Sequence, residues 1–115
     1  MKCVYIASRV SGEIERNMAL AKVYCLYAMS KNVVPVVPHL MLEGVLDDND
    51  PEERTLGITV GLELLRKCDE IWAFTDERGI SEGMANEISL ADQLKIPIRF
   101  VDWNKIKNEV EDVTV

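Results

Sequence analysis

The residues able to do chemistry concentrate between Gly79 and Lys95, GISEGMANEISLADQLK. Gly79 brings turn chemistry after Arg78, and Ser81 stands where a helix begins. Met84, Ile88, Ala91 and Leu94 then recur at helical spacing and form one apolar stripe. Glu87 falls on the same side as that stripe. A carboxylate pressed against apolar neighbours has its pKa raised, which suits an acid, a base or a nucleophile. The plainer alternative is an edge glutamate whose head group reaches water. Two helix starts, one after Gly12 and one at Ser81, each offer free backbone N–H groups and a positive dipole end to an anion. Ser8, Arg9, Ser11 and Gly12 in the first loop, and Ser81 and Gly83 at the second start, are the candidate ligand and phosphate contacts. Ser11 and Ser81 also read simply as N-caps. Glu87 lies six residues beyond Ser81, roughly 9 Å along a helix axis. That span matches a sugar ring plus its phosphate, so the spacing suits a nucleotide.

His39 is the single histidine. Its place where a strand opens into a loop makes it a further candidate, although packing explains most such residues. No GxGxxG, GxxxxGK[ST] or serine–histidine–acid arrangement occurs. The acidic run LDDNDPEER lacks the glycine and terminal glutamate of a calcium loop, so helix capping accounts for its charges and no metal or cofactor is expected. A net charge of -7 with no basic stripe argues against a nucleic-acid polymer as partner. Cys3, Cys25 and Cys68 are odd in number and far apart, a pattern of reduced thiols. The start MKCVYIASRV is too short for a signal peptide, and no run approaches a membrane span, so the expectation is a soluble cytoplasmic protein without a membrane partner.

These residues need a scaffold, and 115 residues with 48% apolar content suit one domain, 1–115. Lys2 to Ala7 reads as a first strand. Glu13 to Lys31 reads as a helix facing inward through Ile14, Met18, Ala21, Cys25 and Ala28, ended by Asn32. Val33 to Pro38 reads as an edge strand because of Pro35. After the connection from Leu40, Asp50 is the N-cap, Pro51 the first helical residue and Glu53 the capping-box residue of a helix to about Lys67. That helix is expected to bury Ile58, Leu62 and Leu65. Glu70 to Phe74, with Trp72 in the core, and Ile96 to Val101 complete the strands; the tail from Trp103 has no assignment. Such alternation predicts an α/β fold, a Rossmann-like or flavodoxin-like three-layer sandwich with a four- to five-stranded parallel sheet. Ligands then bind at the carboxyl ends of the strands.

The chain resembles the nucleoside 2-deoxyribosyltransferase-like superfamily, which includes the deoxynucleoside 5′-monophosphate N-glycosidases. The resemblance runs from VYIAS through KCDEIWAF to SEGMANEISLADQLKIPI. It is nearest to a small branch common in bacteria and their phages, with the pattern PHL…LDDNDPEER…GLELL..CDE…SEGM..EI. It implies that Glu87 is the nucleophile at the anomeric carbon, that Tyr5 hydrogen-bonds it, and that Ser81 takes a phosphate. It also implies a homo-oligomer, a dimer or larger, in which C-terminal residues such as Trp103 and Asn104 could complete a neighbour's site. One departure stands out. The family's catalytic aspartate, eight residues before Asp69, falls on Gly61 here. Either His39 or Asp76 supplies the proton, or the ligand needs none, or binding is kept without catalysis. Three readings follow: an N-glycosidase or deoxyribosyltransferase, a protein that sequesters a cyclic or ADP-ribose-type signal, and an interaction domain with a vestigial pocket.

Overall fold

The structure is a computed structural model that describes residues 1–113, with side chains through Asn108. Its strands are β1 (Cys3–Ala7), β2 (Val34–Val36), β3 (Glu70–Thr75) and β4 (Ile98–Asp102). Its helices are α1 (Ile14–Ser30), α2 (Pro38–Met41), α3 (Pro51–Arg66), α4 (Glu82–Gln93) and α5 (Trp103–Val113). The strands form one parallel sheet in the order β2-β1-β3-β4. Tyr5 pairs with Val36 on one side and Ile71 on the other, so β1 is central. β1 and β3 are apolar and buried almost throughout, as strands covered on both faces must be. Pro35 lies in the edge strand β2, where its missing N–H leaves no gap in the ladder's interior.

Successive residues of β1 feed two cores. Val4 and Ile6 pack with Ala21, Tyr24, Tyr27, Trp72 and Phe74 on the α1–α5 side. Tyr5 and Ala7 pack with Leu65, Ile71, Ala73, Met84 and Ala91 on the α3–α4 side. This alternation follows from the two-residue period of a strand.

Several expected elements shift. α1 buries Asn17, Ala21, Tyr24, Tyr27 and Ala28, whereas Ile14 is 65% exposed. The apolar stripe is rotated because the tyrosine rings bury more area: Tyr24 stacks on Phe74 at 4.4 Å and meets Trp103 edge-on at 5.4 Å. α3 buries Gly61 and Leu65, while Ile58 is 56% exposed and Leu62 half-buried. Here glycine, not an aliphatic residue, faces the sheet. Leu94, at the end of α4, is likewise part-exposed rather than core. The segment after β2 does not open directly into a loop, because Pro38 starts the short helix α2. β4 begins at Ile98, with Pro97 just before it, rather than at Ile96. The tail forms α5, with Trp103 packed against the α1 core.

Asp50 caps α3, accepting from the Glu52 N–H at 2.9 Å and the Glu53 N–H at 3.3 Å. The reciprocal half of a capping box is absent, since the Asp50 N–H donates to the Asp47 carbonyl instead. Asp50→Ala should therefore cost about 1 kcal/mol, read as a lower chemical-denaturation midpoint. An unchanged midpoint would show that the cap contributes nothing. Among the described residues, no helix is long and apolar enough to cross a membrane.

Candidate active site

The two middle strands, β1 and β3, send their connections to opposite sides, which opens a crevice at their carboxyl ends. On the α3–α4 side of that crevice lies Tyr5, almost fully buried. Its hydroxyl donates to Glu87 Oε2. Glu87 sits on α4 between the buried Met84 and Ala91, one turn from each, so it must face the sheet. Desolvation pushes its pKa up to about 7, partly offset by the Tyr5 hydrogen bond, which favours the carboxylate. Burial first, and then the Glu87 charge, hold the Tyr5 hydroxyl far above its ordinary value. Tyr5 is thus a fixed donor, and Glu87 is a carboxyl poised to exchange its proton near neutrality.

Gly61 closes the third side. A Cβ there would lie 3.4 Å from the Tyr5 hydroxyl and 3.9 Å from the Pro38 Cβ. The α3 backbone therefore approaches the Tyr5–Glu87 pair directly, with no side chain between them.

Ser81 is the N-cap of α4, its Oγ accepting from the Met84 N–H at 3.2 Å. Gly83 is exposed with open space where a Cβ would stand. The second helix start differs. Ser11 does not cap α1; Glu13 occupies that position and makes no side-chain cap bond. The Glu13 carboxylate accepts from Arg16 at 3.2 Å and Arg78 at 3.1 Å. A negative side chain already lies at that helix start, and Ser11 and Gly12 are exposed in the loop before it. Ser8 is buried, and Arg9 Nη2 donates to the Arg78 carbonyl at 3.1 Å.

The two candidate proton donors separate. Arg78 grips Asp76 through Nε at 3.1 Å and Nη2 at 2.7 Å, and these bonds hold its carboxyl below the usual range. Asp76 therefore has no proton to give at neutral pH. His39 is half-buried in α2, its Nδ1 without a partner among the described residues, and desolvation lowers its pKa. It follows Pro38, which lies beside Gly61. Trp103, considered for a neighbour's site, has its ring against Tyr24 of its own chain, and the Asn104 N–H donates to Asp102. Sequence reasoning missed Asn17, whose Nδ2 holds the Val10 and Ser11 carbonyls at 3.1 Å each, because a polar residue on a helix carries no apolar period. It also missed the Glu13–Arg16–Glu77 and Glu13–Arg78–Asp76 ion pairs that tie the first loop to the third. Only the Asp-x-Arg spacing at Asp76 hinted at them.

With its parallel 2-1-3-4 sheet flanked by helices, the chain has a nucleoside 2-deoxyribosyltransferase-like fold. The chain belongs to the family described as Domain of unknown function (DUF7768), whose family model matches residues 2–101. No curated protein matches the sequence. Among solved structures, a 2-deoxyribosyltransferase from Bacillus psychrosaccharolyticus superposes with a TM-score of 0.73 at 16% identity, covering 88% of this chain and 72% of that one. A 2-deoxyribosyltransferase from Leishmania mexicana gives 0.60 at 21% identity, covering 89% of this chain and 65% of that one. A conserved protein from Enterococcus faecalis V583 gives 0.57 at 22% identity, covering 87% and 62%. The chain thus spans less than two thirds of the latter two proteins. At these identities the likeness concerns the fold.

Proposed function

We propose that this chain binds a nucleotide at the carboxyl edge of its sheet and cleaves or transfers the N-glycosidic bond through Glu87. The observation that carries this reading is the Tyr5–Glu87 pair, a carboxylate oriented by a buried hydroxyl and tuned to about 7. Tyr5 occupies Oε2, and Oε1 is the attacking oxygen. It bonds to the anomeric carbon as the carbon–nitrogen bond breaks, the electron pair leaving with the base, which takes up a proton from solvent. Water or a second base then attacks the sugar ester and restores the carboxylate, the two-step logic of retaining glycosyl chemistry. The phosphate lies at the start of α4, on the N–H groups near Ser81 and Gly83. Ser8, Arg9, Ser11 and Gly12, in the loop after β1, and His39, on α2, surround the ligand. The protein acts in the cytoplasm as a dimer or larger, which sedimentation would test.

Gly61 favours a second reading. Gly61 brings no second carboxyl to Tyr5 and Glu87 to protonate a departing base, and loss of such an acid removes roughly 10²–10⁴-fold in rate. On that reading the chain holds a nucleotide-derived signal, cyclic or ADP-ribose-like, without cleaving it, as a phage anti-defence sponge would. Incubation with deoxynucleotides, ribonucleotides and cyclic nucleotides, followed by chromatography of the solution and of heat-released ligand, separates the two. Free base formed by the wild type and not by Glu87→Ala supports cleavage. Intact nucleotide released stoichiometrically, with no base formed, supports sequestration instead.

The phosphate assignment has its own test. Aspartate is as good an N-cap as serine, so Ser81→Asp should keep α4 intact while repelling a phosphate. Thermal shifts with a deoxynucleoside monophosphate should shrink relative to those with the free nucleoside. Equal shifts for both ligands would place the phosphate elsewhere.

A further inference from the structure

α3 and α4 both start at the carboxyl edge and run back along the sheet, because each carries the chain from the end of one parallel strand to the beginning of another. They pack side by side, and both meet the Tyr5 hydroxyl. α4 reaches it through the Glu87 carboxylate, and α3 at Gly61, where a Cβ would stand 3.4 Å away. That shared contact sets the register of the two helices. Ser81 lies six residues before Glu87, roughly 9 Å up α4, and Arg54 lies seven residues before Gly61, roughly 10 Å up α3. Seven residues are nearly two full turns, so Arg54 shares the face of Gly61 and Leu65. Those two are buried against the sheet, whereas Arg54, beyond the ends of the strands, is exposed. One flank of this face is closed, since a Cβ at Gly57 would meet Leu46 Cδ1 at 3.3 Å. On the other flank, toward α4, Ile58 stands more than half exposed.

Acids crowd the start of α3, yet Arg54 makes no ion pair among the described residues. Asp50, one turn back, is committed to the Glu52 and Glu53 N–H groups. Glu52 and Glu53 themselves project elsewhere around the helix. One turn forward stand only Gly57 and Ile58. In a chain of net charge -7, this guanidinium is left free to take an anion from outside.

We infer that Arg54 is a specificity-determining residue of the Tyr5–Glu87 site, gripping the ligand's phosphate from α3 across from the Ser81 start of α4. Packed helices lie about 8–10 Å apart, a gap that an extended arginine and one phosphate fill. A guanidinium takes two phosphate oxygens at once, so it fixes the orientation of the group as well as its charge. The sugar then hangs down the crevice toward Glu87. The inference rests on the nucleotide reading and narrows it: Arg54 makes the site select phosphorylated ligands over free nucleosides.

Titration calorimetry with the four deoxynucleoside 5′-monophosphates and their nucleosides tests this. Loss of a charged two-point contact predicts that Arg54→Met binds the tightest monophosphate at least ~10-fold more weakly, with the matching nucleoside unaffected. Arg54→Lys should fall between, since it keeps the charge and loses the fork. Arg54 is exposed and methionine is a comparable helix former, so the melting temperature should stay unchanged. A monophosphate bound equally by the wild type and Arg54→Met, or a nucleoside weakened as much as its monophosphate, would overturn this inference and leave the nucleotide reading standing. Failure of every probe to bind the wild type would overturn both.

Discussion

Glu87→Gln should make the protein more stable at pH 8 and at the same time inactive. The folded-state pKa of Glu87 is near 7, against an ordinary 4.5. Between those values the folded chain binds more protons than the unfolded one, so stability falls as pH rises through that window. Below about 4.5 the carboxyl is protonated in both states and costs nothing; above about 7 the full cost of burying its charge applies. At full weight the gap is worth about 3 kcal/mol, and about 2 kcal/mol once partial solvent access is allowed for. Glutamine keeps an oxygen for the Tyr5 hydroxyl and removes the charge. A melting temperature higher by about 5–10 °C at pH 8 follows, with no gain at pH 4. Turnover, where the wild type shows it, should drop at least ~10³-fold, because the covalent step has lost its nucleophile. Identical melting curves at pH 8 would mean that Glu87 is not held charged against its environment.

Gly61→Asp is the second large effect, and it is a loss. A Cβ at this position only just fits against the Tyr5 hydroxyl, at 3.4 Å. A carboxyl beyond that Cβ must displace Tyr5 or Pro38, and it adds a second negative charge beside a Glu87 that is already costly to ionise. Overpacking and an uncompensated buried charge together should destabilise by about 2–4 kcal/mol at pH 8. Gly61→Ala is the control: its Cβ makes ordinary contact, and helix propensity favours alanine by up to about 1 kcal/mol. Denaturation midpoints of the two variants should therefore move in opposite directions. If Gly61→Asp is instead neutral and accelerates base release, the backbone has room for the acid that the resemblance implies, and the close approach at Gly61 is not a constraint.

The parts legible in the sequence were those with strong local signals. β1 and β3 are unbroken apolar runs, Asp50-Pro51 and Ser81 mark helix starts by capping chemistry, and Pro35 marks an edge. The phase of Glu87 with Met84 and Ala91 put it on the apolar side of its helix, but an edge position reaching water fitted the same phase, and only the fold shows it against Tyr5. The failures are of a different kind. On α1 and α3 the aliphatic residues suggested a stripe, but long-range packing chose Tyr24 and Tyr27 on one helix and Gly61 on the other. A glycine gives no periodic signal, so its approach to Tyr5 was visible only in three dimensions. The Arg78–Asp76 pair removed one candidate acid, and the buried Asn17 emerged as a loop anchor; both depend on contacts that local reading does not see. β4 starts later than expected because Pro97 delays the strand, and the tail left without assignment forms α5, where Trp103 finds Tyr24 across the α1 side.

The central claim is that Glu87 accepts the sugar. Rapid acid quenching of the protein with a deoxynucleoside 5′-monophosphate, followed by peptide mass analysis, tests it most directly. The account predicts a sugar-phosphate ester on the peptide carrying Glu87, appearing together with free base and absent from Glu87→Gln. Bound, intact nucleotide with no ester and no base would contradict it and leave Glu87 as a ligand-binding carboxylate.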